Sequence, residues 1–116
     1  MRHYDQDDSY ISAGNMNADI TGAAIDCAQL DRVSFHNIYT HGTFNVVGTF
    51  EYSGSNDGSD WVPLTIDKEH GAHPNAAAGN HMVVLTDLPR YVRQKFVWTA
   101  GTNGTLNTKA LGIGQL

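Results

Sequence analysis

The sequence predicts an all-β domain: an antiparallel two-sheet β-sandwich of about seven or eight strands with jelly-roll or Greek-key-like connections. Three observations predict it. Short runs alternate apolar and polar residues with the period of two that a half-buried strand requires. Clusters of Gly, Asn, Asp, Ser and Thr interrupt these runs roughly every ten residues, as turns do. No stretch carries a helical period long enough to stand alone.

Residues 1–18 have no sustained period, and Ser12, Gly14, Asn15 and Asn17 disfavour regular structure. They read as an N-terminal arm, flexible or ordered against a neighbouring subunit, ahead of a single domain over 19–116. Tyr4, Tyr10, Ile11 and Met16 are its apolar grip. A first strand is expected over 20–28, with Ile25 and Cys27 inward and Asp26 outward. A second follows over 32–39, with Val33 and Phe35 on one face and Arg32, Ser34 and His36 on the other. Thr40-His41-Gly42-Thr43 forms a turn.

The third strand, 44–53, places Phe50 and Tyr52 on one face, and Gly48 inside it marks a bulge. It leads into Gly54-Ser55-Asn56-Asp57-Gly58-Ser59, where Asp57-Gly58 is a strong hairpin signal because glycine accepts positive φ without a clash. The fourth strand, 61–66, carries Trp61, Val62 and Leu64. Its Pro63 lacks a backbone donor, which puts the strand at a sheet edge or a bulge. Residues 67–81 are the longest aperiodic stretch and the best candidate for a contact loop. Short apolar residues over 82–85 make a fifth strand. Residues 91–98 make the sixth, with Val92, Phe96 and Trp98 on one face. Asn103-Gly104 centres a further hairpin turn before the last strand, 106–113.

Composition narrows the function. The 116 residues suffice for one domain, and charged residues are only 16%, below the usual quarter. A net charge of −5 argues against nucleic-acid binding, which needs a basic patch. Arg90, Arg93 and Lys95 are the nearest approach to one; they read as a solvated face or as a contact with an acidic neighbour. The single cysteine, Cys27, excludes an intrachain disulfide and reads as a small buried hydrophobe. The acidic N-terminus does not resemble a signal peptide, and no apolar run nears the about 18 residues that span a bilayer. No membrane association is expected.

Reactive motifs are missing. Six histidines raise a metal site, and His70-Gly71-Ala72-His73 has i, i+3 spacing, but on a loop with Gly and Pro rather than a helix. Zinc-type ligand spacings are absent, so neither metal nor cofactor is expected. There is no nucleophile elbow, no P-loop and no dinucleotide fingerprint. Paired catalytic carboxylates have little to draw on, since the only glutamates are Glu51 and Glu69. The chain is not expected to be an enzyme.

The run Val46-Val47-Gly48-Thr49-Phe50-Glu51-Tyr52-Ser53 through Asn56-Asp57-Gly58 to Trp61-Val62-Pro63-Leu64 resembles a pattern of small structural proteins of tailed bacteriophages. Ala24-Ile25-Asp26-Cys27 through Val33-Ser34-Phe35 is similar to their first two strands. Tyr91-Val92-Arg93 through Trp98, then Thr102-Asn103-Gly104-Thr105-Leu106, is similar to their ending. Together these cover most of 20–114. The resemblance implies a head decoration, cement or staple protein on the capsid exterior, assembled in the host cytoplasm. It would lock neighbouring major capsid subunits together and associate with itself as a homodimer or homotrimer. Possible contacts are Tyr4, Tyr10, Ile11 and Met16 in the arm, His70, His73 and Pro74 in the long loop, and Arg90 and Arg93. The alternative is a carbohydrate-binding sandwich on a tail or fibre, since discoidin-like modules carry a similar turn before a tryptophan. The first reading expects Trp61 and Trp98 buried; the second expects Trp61 or Tyr52 on the surface.

Overall fold

A computed structural model describes residues 2–40, 44–71, 79–102 and 104–115. Among them all regular structure is strand, arranged as two antiparallel sheets packed face to face. There are ten strands: β1 Arg2–Asn15, β2 Ile20–Thr21, β3 Ile25–Asp26, β4 Arg32–Thr40, β5 Phe44–Ser55, β6 Val62–Pro63, β7 Lys68–Gly71, β8 Gly79–Leu85, β9 Tyr91–Thr102 and β10 Thr105–Gln115. One sheet has the order β1-β10-β4-β8-β7; the other has β2-β9-β5-β6, with β3 also on β9.

The count exceeds the expected seven or eight for three reasons. The aperiodic arm is a 14-residue strand paired with β10. Its period is hidden because two register shifts interrupt it, and the one between Ile11 and Gly14 reverses which residues face inward. The expected strand at 20–28 is two short strands on β9, separated by residues 22–24. The aperiodic 67–81 stretch contributes β7 and the start of β8, which pair antiparallel; residues 72–78, with His73 and Pro74, lie outside the described residues.

Other elements follow the sequence closely. Gly48 sits at a register shift of β5 on β9. β6 pairs with β5 at the edge of its sheet, as Pro63 requires. Gly58 has φ of +79° in the turn between β5 and β6. Asp57 Oδ1 in that turn accepts the N–H groups of Ser59 and Asp60 at 2.8 and 2.9 Å. Those donors hold its carboxyl down to about 2. One expectation differs: β9 and β10 belong to different sheets and do not pair as a hairpin, and Asn103 lies outside the described residues.

Alternation selects the core. Val33, Phe35 and Tyr39 from β4, Phe50 and Tyr52 from β5, Val83 and Leu85 from β8, Val92 and Phe96 from β9, and Leu106 and Ala110 from β10 are all buried. Phe35 lies edge-on to Tyr10 at 5.3 Å and tilted against Tyr52 at 5.2 Å, near the middle of this cluster. Burial of each large apolar side chain stabilises by about 1.5–3 kcal/mol.

Candidate functional site

The core contains a stripe that is not apolar. In the first sheet Thr108 pairs with Asn37, and Asn37 with His81, so three polar residues line up across three strands. In the facing sheet Tyr52 pairs with Gln94. Asn37, Thr108 and Gln94 are fully buried, His81 is 1% exposed and Tyr52 2%. Rows of apolar residues flank the stripe: Ala110, Phe35 and Val83 on one side, Leu106 and Tyr39 on the other.

Burying amides and hydroxyls is costly unless they bond one another, and here they do. Gln94 Nε2 donates to Asn37 Oδ1 at 2.8 Å and to Thr108 Oγ1 at 3.2 Å. The Thr108 hydroxyl donates to Asn37 Oδ1 at 2.7 Å. The Tyr52 hydroxyl donates to Gln94 Oε1 at 2.7 Å. Both lone-pair regions of Asn37 Oδ1 are taken, so its NH2 group faces Tyr52 at 3.5 Å and His81 Nδ1 at 3.2 Å. His81 Nδ1 is therefore an acceptor, and the neutral imidazole carries its proton on Nε2. That atom lies 2.6 Å from Glu69 Oε1, and the ring stacks on Phe50 at 5.0 Å. Burial, first among the causes, pushes the Tyr52 phenol well above its usual range.

Glu69 is where the stripe meets solvent: its side chain is 35% exposed, while that of His81 is fully buried. A shallow recess of about 220 Å³ beside it is lined by His36, His70, Asn80 and Met82. A carboxylate orienting an imidazole is a common catalytic pairing, but here the other ring nitrogen faces the Asn37 amide rather than a hydroxyl or thiol. The stripe's chemistry is that of a hydrogen-bonded strut between the sheets.

The residues singled out from sequence separate into three groups. Ile11 and Met16 are buried in the core, at 7% and 0% exposure, and Tyr10 packs on Phe35; all three work inside the chain. Tyr4 is 60% exposed, and His70 is exposed on the edge strand β7. Arg90 and Arg93 form no joint patch with Lys95, because each cation has its own partner. Arg90 grips Asp26 with two bonds of 2.8 and 3.0 Å, which holds the Asp26 carboxyl below its usual range. Arg93 covers the Trp61 ring at 4.1 Å. Lys95 lies 3.6 Å from Asp19.

Cys27 is buried as expected, and burial pushes its thiol up to about 11. Trp98 is not: it is 38% exposed, opposite Gly48 at the register shift of β5. Its indole N–H donates to Gly101 O at 3.0 Å. Tyr52 is buried and Trp61 half-buried.

Asn37, Gln94 and Thr108 are not expected as site residues from sequence, while His81 and Glu69 enter only as a metal-ligand and a carboxylate candidate. A signal existed for two of them. Asn37 shares strand parity with Val33 and Phe35, and Gln94 with Val92 and Phe96; a polar residue on the apolar parity of a strand marks a buried hydrogen bond.

Among the described residues no three His, Cys, Asp or Glu side chains form a group that could hold a metal ion. Comparisons with protein-family models, curated proteins and solved structures return no match.

Proposed function

We propose that the chain is a virion structural protein, a decoration or cement protein that stabilises a phage head by binding between major capsid subunits. The supporting observation is the buried polar stripe. Its reactive groups, an imidazole, a phenol and a hydroxyl, are used up holding two sheets at one spacing, as suits a rigid adhesive wedge. The likeness of residues 46–64 to phage structural proteins agrees with this reading. Contact surfaces on this reading are the exposed edge around Tyr4, the edge strand β7 with His70, and residues 72–78 beyond it, with His73 and Pro74.

Purified heads provide the test. The protein should be present at a fixed copy number per shell, and shells stripped of it should break at lower force or temperature. Shells that lack it, or are unchanged by its removal, overturn the reading.

A second reading, a glycan-binding module, is favoured by one feature. A groove of about 610 Å³ lies between the β5–β6 turn and residues 87–89, with Asn56, Asp57, Asp60 and Asp87 around apolar Val62 and Pro89. Polar groups around an apolar floor can hold a sugar ring. Micromolar binding to a glycan array would favour it over the capsid reading.

A further inference from the structure

The free edge of β1 is built differently from the rest of the surface. β1 ends its sheet, so one side of it carries backbone N–H and C=O groups that no described strand pairs with. From Arg2↔Gln115 to Asp7↔Ala110 its register on β10 is unbroken, which leaves a straight edge; only beyond Asp7 do register shifts distort it. Along this straight part Asp5 lies opposite Gly112 and Asp7 opposite Ala110. Both partners are buried, so Asp5 and Asp7 are on the inward side of the strand, at the open flank of the sandwich.

That flank holds a slot. Two adjoining hollows of about 280 and 220 Å³ share Asp5 and Asp26. Ala24, Ala28, Leu30 and Ala110 give the slot small, apolar walls. Its carboxylates are unevenly satisfied. Asp26 is bound by Arg90, and Asp7 Oδ1 accepts the Ser9 N–H at 3.0 Å. Asp5 has no hydrogen-bond or ion-pair partner among the described residues.

We propose that the β1 edge accepts an extended segment of a partner protein as an added strand, with lysine or arginine at alternate positions reaching into the Asp5–Asp7–Asp26 slot. Main-chain pairing supplies the attachment, and alternate side chains supply the selection, as in strand addition generally. The occupant is basic because the slot has three carboxylates against one guanidinium. It is not a second copy joined edge to edge, since two β1 strands would bring Asp5 and Asp7 against their equivalents; inward charges on an edge strand prevent such self-pairing. The proposal rests on the reading of the chain as an interface protein and names the partner chemistry at one of its contact surfaces.

The probe is a short blocked peptide of alternating valine and lysine, titrated to millimolar concentration into the full chain and followed by amide NMR. A control peptide carries glutamate in place of lysine. The lysine peptide should shift amides in residues 2–7 and 24–30, and slow their hydrogen exchange. Its affinity should fall at least about tenfold in a D5N/D7N variant and weaken in high salt. No shift, shifts elsewhere, an equal response to the glutamate peptide, or unchanged affinity in D5N/D7N overturns the proposal. Should that variant fail to fold, the comparison of the two peptides on the unaltered chain still decides. Phage heads play no part in this test. Peptide binding without head association removes only the head assignment, and the reverse result removes only the strand-addition site.

Discussion

The hydroxyl of Tyr10 accepts the backbone N–H of Gln94 at 3.1 Å and donates to Ala23 O at 2.5 Å. Tyr10 belongs to one sheet and Gln94 to the other, so a single phenol ties the edge strand β1 to β9 across the flank of the sandwich. It reaches them through the gap between β2 and β3. Gly22 makes the gap possible: a Cβ there would collide with the Tyr10 ring.

Tyr10→Phe leaves a backbone donor and a backbone acceptor without that partner. It should destabilise the chain by about 1–3 kcal/mol, the cost of such orphaned groups, read from urea midpoints. Gly22→Ala should cost at least as much, because the ring must leave its place on Phe35. A Gly22→Ala midpoint equal to that of the unaltered chain would contradict this account of the gap.

Alkaline titration gives a second expectation. Burial, the largest cause, pushes the Tyr10 phenol up to about 12. An unfolded tyrosine loses its proton near pH 10. The folded state therefore holds the proton more tightly, so this contribution is complete below pH 10 and is lost between about pH 10 and 12. The loss should reach about 2 kcal/mol. Tyr52 acts in the same direction. The slope of stability against pH in that window should be shallower in Tyr10→Phe; an unchanged slope would assign it elsewhere.

The polar stripe predicts strong coupling. Gln94→Leu takes one of two donors from the Asn37 carbonyl and the acceptor from the Tyr52 hydroxyl, and Asn37→Leu takes an acceptor from Gln94 Nε2 and the Thr108 hydroxyl and the amide facing His81 Nδ1. Each should cost about 2–4 kcal/mol. The double variant should be less destabilised than the sum of the two by about 1 kcal/mol or more, since neighbours in one network are not additive. Strict additivity in denaturant unfolding would show that the bonds contribute independently.

Thiol chemistry checks the core from another direction. With its thiol pushed up from 9.0 to about 11, Cys27 has about a hundredfold less thiolate at pH 8 than an exposed cysteine. Its reaction with a disulfide reagent should be slower by at least that factor in the folded chain and become fast in denaturant. Rapid labelling of the folded chain would place Cys27 at the surface.

Much of this fold could be read from alternation alone. Val33 and Phe35, Phe50 and Tyr52, and Val92 and Phe96 all face inward as their spacing requires, and Pro63 marks an edge. What stayed hidden follows from two physical facts. A bulge can reverse side-chain parity, as between Ile11 and Gly14, so β1 shows no single period although it is the longest strand described. Connections between sheets use the same turn residues as hairpins, so Asn103-Gly104 does not disclose that β9 and β10 part company. The polar stripe was hidden for a third reason. Asn37, His81 and Thr108 are far apart in the chain, and only strand pairing brings them into one row. The partner contacts were the least legible, because Ile11 and Met16 carry the same apolar character whether they fill a core or meet a neighbour.

The cross-sheet row of Thr108, Asn37 and His81 works like the wards of a lock. Sliding β10 by two residues along β4 would preserve every inward face, yet it would set Leu106 or Ala110 beside the Asn37 amide. Greasy contacts alone would tolerate that shift; an amide with a directional appetite does not. Each molecule thus emerges with one outline, the quality that repeated tiles need if a mosaic is to close without gaps.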